Sequence, residues 1–528
     1  MTKRLLITAP LVLAIVGMTV AQDASRSVSM KEERKKAAHH RRRIIMNNDG
    51  NDCRCERPEA AKMREVFLSR RTSPLVASHV DAIFYCTGVV NSYTHHSKET
   101  EARGHGDRFA KDWAYELGNH GPDSLAIMVD FGRKNGMEVF WSMRMNDTHD
   151  SADGALLTEW KTSHPEYLMA KKGDKLKAGG RRWSALDYGL PEVREKVFRI
   201  LKDVCSRYDI DGIEMDFFRH PIYFKPQIHG EPVTQEHCDM MTGLLRRIRG
   251  MTEEIGAKRG RPLLIAARVP DSIGYDKGIG LDVEQWLKED LVDLLVVSGY
   301  FHLTPWEESV KLGHQHGVPV YACLSESRIK GGAERERCSP EAYRARALTA
   351  WRAGVDGIYT FNAFNPKLTM WRELGDPAVL AKLDRVYFAC YRAPRQAGSW
   401  LLGGERFNQL PSLSPEQPIK MAPSETREIE LWAGGGRSPD ETEGASARLT
   451  LNLHIDELAQ PDAVSVALNG KALGDGRLSN GFVAFDVGPN CFTEGKSTVT
   501  ITLNAAADKP AVLKDLFLWV RHRESSSK

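Results

Sequence analysis

Glu214 and Asp216 stand two residues apart in the run Asp211-Gly212-Ile213-Glu214-Met215-Asp216-Phe217-Phe218-Arg219-His220-Pro221. On an extended strand that spacing aims both carboxylates at one face and turns Ile213 and Met215 to the other. An amphipathic helical pattern over 191–207 precedes the run, so the strand emerges from a core with its carboxylates toward its C-terminal end. Two carboxylates suit glycoside hydrolysis. One is protonated and donates to the leaving oxygen; the other is ionised and attacks the anomeric carbon or activates water. Surface or helix-capping carboxylates would share this spacing, so the reading depends on what the other elements bring beside them.

Polar residues recur at alternate positions near the ends of other strand-like runs. The third run offers Ser142, Arg144 and Asn146, the fifth Ala266 and Arg268, and the sixth Ser298, Tyr300 and His302. The seventh ends at Glu326, the eighth offers Thr360 and Asn362, and the first closes on Asn47-Asn48-Asp49. Asp216 and Glu326 are the expected catalytic pair, from opposite sides of one opening. Glu214, one pleat deeper, orients Arg144 or Tyr300, or stands in as the second carboxylate. A separation of about 5–5.5 Å between the two carboxyl groups would mean retention, and about 6.5–9.5 Å inversion. Asn146, Tyr300, His302 and Asn362 are expected to bind hydroxyls, with Asn48, Asp49 and His220 beside them. Arg144, Arg219 and Arg268 point to an anionic sugar and to a carboxylate held ionised by its neighbours.

These positions need a scaffold that brings strand ends together. Apolar, strand-like runs fall at about 44–48, 81–87, 137–145, 211–217, 262–269, 292–300, 318–324 and 355–362. Helical patterns lie between them at 58–70, 122–135, 191–207, 236–256, 282–289, 306–316 and 340–353, and 376–390 is expected to close the unit as a helix or turn. Strands alternating with helices pair in parallel through crossovers. Eight such units predict a (β/α)8 TIM barrel over 44–392, whose chemistry sits at the C-terminal strand ends. A proline- and glycine-marked linker follows at 393–424. The period then changes to two, with turn signals at Asn469-Gly470 and Glu494-Gly495, and predicts a small antiparallel β-sandwich over 425–522. Trp432 and Trp519 lie in its core-like runs, which favours a packing role over sugar binding.

The chain begins with Lys3 and Arg4, the apolar run Leu5–Met18 and small residues to Ala21, the pattern of a secretory signal peptide over 1–21. An exported protein, periplasmic or extracellular, is therefore expected, with no membrane span once the signal is removed. Residues 22–43 are polar and basic and read as a solvated, disordered arm. A formal charge of +3 over 528 residues, with 41% hydrophobic and 27% charged residues, describes an ordinary globular protein and gives no case for nucleic acid. The nine cysteines show no CxxC. Cys86, Cys323 and Cys390 read as buried small hydrophobes, whereas Cys53 or Cys55 could pair elsewhere in an oxidising compartment. Asp147-Thr148-His149-Asp150 with Asp153 is dense in oxygen ligands but lacks a calcium-loop spacing and reads as solvated loop. No metal and no cofactor are assigned.

His164-Pro165-Glu166-Tyr167, Leu186-Asp187-Tyr188-Gly189-Leu190-Pro191-Glu192-Val193-Arg194 and the Tyr208–Pro221 run resemble the bacterial glycosyl-hydrolase-like family numbered ten. In that family a Tyr-Asp-x-Asp-Gly-Ile-x-x-Asp phrase lies on the fourth strand, and Asp216 stands at its last aspartate. The resemblance implies a carbohydrate-active barrel over roughly 44–390. The strand also resembles the D-x-x-D-x-D-x-E pattern of chitinase-type barrels, but Phe218 stands where their catalytic glutamate would be, which argues against substrate-assisted chemistry. The leading expectation is an exported glycoside hydrolase acting on a poly- or oligosaccharide. A catalytically silent carbohydrate-binding barrel is the alternative. A metal-dependent hydrolase comes third, because His220 and His302 lack a convergent ligand set.

Overall fold

In a computed structural model, residues 30–522 are described, except 90, 104–111, 327, 332–333, 436–446, 459, 480, 489–490, 493, 506 and 508. The expected signal peptide therefore lies outside the described residues.

Eight parallel strands close a barrel: β1 (Ile44–Asn48), β2 (Val80–Tyr85), β3 (Glu138–Arg144), β4 (Gly212–Asp216), β5 (Leu264–Val269), β6 (Leu294–Val297), β7 (Val320–Ser325) and β8 (Gly357–Phe361). Each pairs with its sequence neighbours, and β8 returns to β1. These are the eight runs expected from the sequence, because a strand covered on both faces must be apolar along most of its length. The main outer helices are Ser124–Asn135, Pro191–Arg207, Gln235–Arg259, Val283–Lys288, Trp306–His314 and Pro340–Arg352. Gly212 opens β4 because a Cβ there would meet the Phe140 ring at 2.2 Å and the Leu264 carbonyl oxygen at 2.7 Å.

From residue 30 onward the basic segment is not a solvated arm. It forms a helix over 30–38 beneath the N-terminal strand ends. There Arg34 is buried against Asp293 and Asp290, and Arg42 donates to Glu138 at 2.5 Å. A run of like charges is stable here because each buried cation meets a carboxylate at a strand start.

The C-terminal unit is the expected antiparallel sandwich. One sheet is built on β9 (Arg385–Phe388), Ile419–Met421, Arg448–Asp456, Arg477–Ser479, Phe482–Val487 and Ala511–Arg521; the other on Thr426–Ala433, Val464–Leu468, Lys471–Ala472 and Gly495–Leu503. Asn469 and Gly470 both take positive φ, 52° and 76°, at the hairpin turn they signalled. The segment expected to close the barrel as a helix or turn does hold a short helix (Pro377–Leu380), but it continues as β9, which pairs antiparallel with Ala511–Arg521 of the sandwich. Trp432 and Trp519 are only partly buried, on the outward alternation of strands whose Leu431, Ala433, Leu518 and Val520 form the core. They do not serve as core residues.

Among the described residues no disulfide forms, and Cys86, Cys323 and Cys390 are buried as expected. Among the described residues, no helix is long and apolar enough to cross a membrane.

Candidate active site at the barrel mouth

Strand register builds the site in two layers. Ser142, Glu214 and Ala266 pair across β3, β4 and β5, and one pleat nearer the mouth Arg144, Asp216 and Arg268 do the same. In the deeper layer, Ser142 donates to one Glu214 oxygen, and the other has no hydrogen-bond partner. Burial, and then the charge of Asp216, push the Glu214 carboxyl up to about 7. In the upper layer, Asp216 Oδ1 accepts from Arg268 Nε and from the Phe218 and Arg219 amides, each at 3.0 Å, while Oδ2 accepts from Arg268 Nη2 at 2.6 Å. Asp216 is 1% exposed and Glu214 fully buried.

Arg268 lies 4.0 Å from the centre of the Phe361 ring and 5.8 Å from that of Tyr359. Those two side chains therefore line the interior of β8, and the parity expected for Thr360 and Asn362 is reversed. Thr360 instead donates to the Ile45 carbonyl on the neighbouring strand. With Tyr359 and Thr360 adjacent on this short strand, polarity does not alternate and does not reveal which set points inward.

Above the two layers the mouth is rich in arginine. Asp49, after β1, accepts from Arg71; although burial opposes it, Arg71, Arg144 and Arg219 lower its pKa. Arg144 donates to Asp147 at 2.8 Å, and Asp147 in turn accepts from His149 Nδ1 at 2.5 Å. Burial works against ionised Asp147, but Arg144 and His149 hold it well below the usual carboxylate range. His149 Nδ1 is tied to Asp147, and its side chain is 39% exposed. Arg219 lies 5.9 Å from the Tyr300 ring centre and 5.3 Å from that of Phe361, and its Nε and Nη1 are buried without a partner. Arg328 also lies over the Tyr300 ring, at 4.5 Å. Trp400 stacks on both His220 and Tyr300, at 5.4 and 6.2 Å. Three non-glycine residues take positive φ just after barrel strands: His220 (63°), Ser298 (75°) and Asn362 (60°). Such strain collects where surrounding contacts fix a functional loop.

Other expected site residues are placed differently. Asn48 accepts from the Gly50 amide and donates to Asp52, shaping its own turn. Asn146 is fully buried and braces two loops, donating to the Leu186 and Ile222 carbonyls and accepting from the Leu186 amide. Glu326 is exposed, and its charge acts on Tyr343 of the Pro340–Arg352 helix. His302 stacks on Trp306 at 4.0 Å, in a cavity beside the sandwich. Asn362 is partly buried at the end of β8.

The Asp147–Asp150 loop is not solvated. Asp147 is 1% and Asp150 4% exposed, and Asp150 accepts from the buried Lys161 at 2.6 Å. Asp147, His149 and His220 bring one potential ligand atom each within 4.8 Å of one another, a convergence that sequence distance concealed. His220 Nδ1 accepts from the Thr148 amide at 3.0 Å, so the neutral ring carries its proton on Nε2. Burial keeps that ring neutral, pushing its pKa well below the ordinary histidine value. His149 and Asp147 thus offer acceptors and His220 a donor, which suits a hydroxyl better than three-point metal ligation.

His149 with its orienting Asp147, Arg71, Arg328 and Trp400 join the site without having been marked by strand-end periodicity. Asp147 and His149 were visible as a polar cluster. Trp400 was a lone large aromatic in a stretch read as linker, and nothing local marked either arginine.

Residues 106–237 match the family described as glycosyl hydrolase-like 10. A stretch of 101 residues is 31% identical to the glycosyl hydrolase DigH of Escherichia coli (strain K12), covering 19% of this chain and 23% of that protein. The match thus spans under a quarter of the curated relative. Among solved structures, a glycoside hydrolase family 18 N-acetylglucosaminidase from Paenibacillus barengoltzii is 10% identical with a TM-score of 0.37, over 63% of this chain and 98% of that one. The PgaB (BpsB) glycoside hydrolase domain from Bordetella bronchiseptica is 11% identical with a TM-score of 0.40, over 64% and 98%. The family match takes in β3, β4 and the loops after them, and so includes Arg144, Asp147, His149, Glu214, Asp216, Arg219 and His220.

Proposed function

We propose that this protein is an exported glycoside hydrolase acting on an acidic poly- or oligosaccharide at the C-terminal mouth of its barrel. The observation that carries the reading is Arg219, buried at the mouth with two guanidinium nitrogens unpartnered and a phenol, Tyr300, alongside. A buried donor without an acceptor is costly unless a ligand supplies one, and a sugar carboxylate or sulfate would do so. Aromatic walls at Tyr300 and Trp400 suit a pyranose face. The proposed carboxylates are Asp216, Glu214 and Glu326. Asp216 is the carboxylate gripped by Arg268, Glu214 is the one whose pKa burial raises, and Glu326 is the one solvent reaches directly. His149, oriented by Asp147, is an additional proton carrier at the rim.

The second reading, a catalytically silent carbohydrate-binding barrel, has its own support. Asp216 is 1% exposed and is held by Arg268 on both oxygens and by the Phe218 and Arg219 amides on Oδ1, which leaves a substrate little access to it. Purified protein lacking residues 1–21 is to be assayed on neutral and acidic polysaccharides beside Asp216→Asn, Glu326→Gln and Glu214→Gln, with folding checked by thermal melting. Hydrolysis lost in folded Asp216→Asn together with one glutamate variant supports the enzyme and identifies its pair. Binding without turnover on every substrate would establish the silent barrel instead.

A further inference from the structure

Two buried arginines outside the mouth share one acceptor. Arg346, from the Pro340–Arg352 helix, donates through Nη1 to the Ser325 carbonyl at the end of β7, at 2.7 Å. Arg392, just beyond β9, donates through Nη2 to the same carbonyl and to the Ser325 hydroxyl, the latter at 3.0 Å. They are 8% and 7% exposed. Arg346 Nε and Nη2, with Arg392 Nη1, remain without hydrogen-bond partners, and among the described residues no carboxylate lies within ion-pairing distance of either side chain. Arg346 also lies over the Tyr343 and Tyr391 rings, at 4.3 and 5.4 Å, but a carbonyl, a hydroxyl and two ring faces supply no full negative charge to offset two buried cations. The strain is felt locally: burial and the neighbouring Arg346 lower the Arg392 pKa to about 9.

Arg346 and Arg392 both line a cavity of about 80 Å³ between the barrel and the sandwich. Its walls are otherwise mainly apolar, with Trp306 and His302 from the barrel side and Phe388 and Trp432 from the sandwich side. The acidic group lining it, Glu307, is exposed. We propose that Arg346 and Arg392 form a binding site for a small oxyanion, the carboxylate, sulfate or phosphate group of a compact molecule, at the junction of the two units. The ligand supplies the missing negative charge and accepts from the idle N–H groups, and its remaining atoms meet the Trp306 and Trp432 walls. Because the lining comes from both units, an occupied site ties the sandwich to the barrel. This site does not depend on the reaction proposed for the mouth.

The test is calorimetric titration of the full chain lacking residues 1–21 with inorganic phosphate and, separately, glucuronate, at constant ionic strength in chloride. Arg346→Gln, Arg392→Gln and Glu326→Gln are titrated in parallel. Binding of either probe, weakened at least tenfold (about 1.4 kcal/mol) in both arginine variants and kept in Glu326→Gln, supports the site. The tighter probe shows whether a free anion or a sugar acid is the source. Binding of neither probe, or equal binding by the arginine variants, overturns it. Binding by Glu326→Gln alone would also overturn it, showing that Glu326 swings in as the internal counter-ion. Should an arginine variant not fold, a selenate-soaked crystal of the parent protein decides: an anomalous peak between the guanidinia supports the proposal, and an adventitious ion only, seen elsewhere, refutes it.

Discussion

Arg268 grips Asp216 with two hydrogen bonds, Nε to Oδ1 at 3.0 Å and Nη2 to Oδ2 at 2.6 Å, from the register-paired position on the adjacent strand. Both side chains are buried, so each satisfies a charge that the barrel interior would otherwise reject. Removing only one partner leaves the other stranded. Arg268→Met is expected to destabilise the protein by about 3–5 kcal/mol, and Arg268→Met with Asp216→Leu to recover most of that loss. Urea denaturation of the four proteins in the cycle checks the coupling; additive losses would contradict it.

Glu214 sets a pH dependence of stability. Its folded pKa of about 7 lies above the unfolded value near 4.3. Between those values the folded state binds more protons than the unfolded one, so stability falls as pH rises through the window. Glu214→Gln is therefore expected to match the parent near pH 4 and to exceed it at pH 8, by on the order of 3 kcal/mol. Parallel stability curves from pH 4 to 8 would show that Glu214 is not the group responsible.

Arg219→Ala separates binding from folding. Its Nε and Nη1 have no partner, so truncation removes little native hydrogen bonding. The melting temperature should change little, whereas affinity for an acidic oligosaccharide should fall by about 1.5–3 kcal/mol, the worth of a hydrogen bond to a charged group. A neutral oligosaccharide of the same length should bind as before. Equal losses on both sugars would remove the acidic-substrate reading.

The helix over 30–38 is a structural part of the barrel floor. Asp293, the buried partner of Arg34, also accepts from Arg249 at 2.8 Å and from the Ile265 amide at 2.7 Å. Those remaining partners should limit the cost of Arg34→Ala to about 1–3 kcal/mol. Deleting residues 1–43 should cost more, because it also removes the Arg42–Glu138 pair. Equal melting temperatures for the deleted and full chains would return this segment to the role of a free arm.

His149→Gln tests the rim. It keeps a polar side chain beside Asp147 but carries no titratable proton. If turnover uses His149 as a proton carrier, kcat falls by about 10²–10⁴ and one limb of its pH profile disappears, while KM stays close to that of the parent. An unchanged profile would confine His149 to binding.

The sequence by itself determined the architecture. Eight apolar runs separated by helical patterns admit parallel pairing and closure, and a period-two stretch admits a sandwich, because burial on one or both faces writes itself directly into residue order. The same logic located Glu214 and Asp216 on one face of β4. Only the tertiary structure decided which partner each polar group would have. Register placed Asp216 between Arg144 and Arg268, yet Arg268 took it and Arg144 turned to Asp147. His149 and His220, 71 positions apart, meet only when two strand-end loops fold over the same mouth. Trp400 reaches that mouth from beyond the barrel, and Glu326 is exposed just after β7. Periodicity is a local property, set by how a helix or strand meets a core. The pairing of charges and the direction a loop side chain takes depend on contacts between distant segments, which residue order does not encode one position at a time.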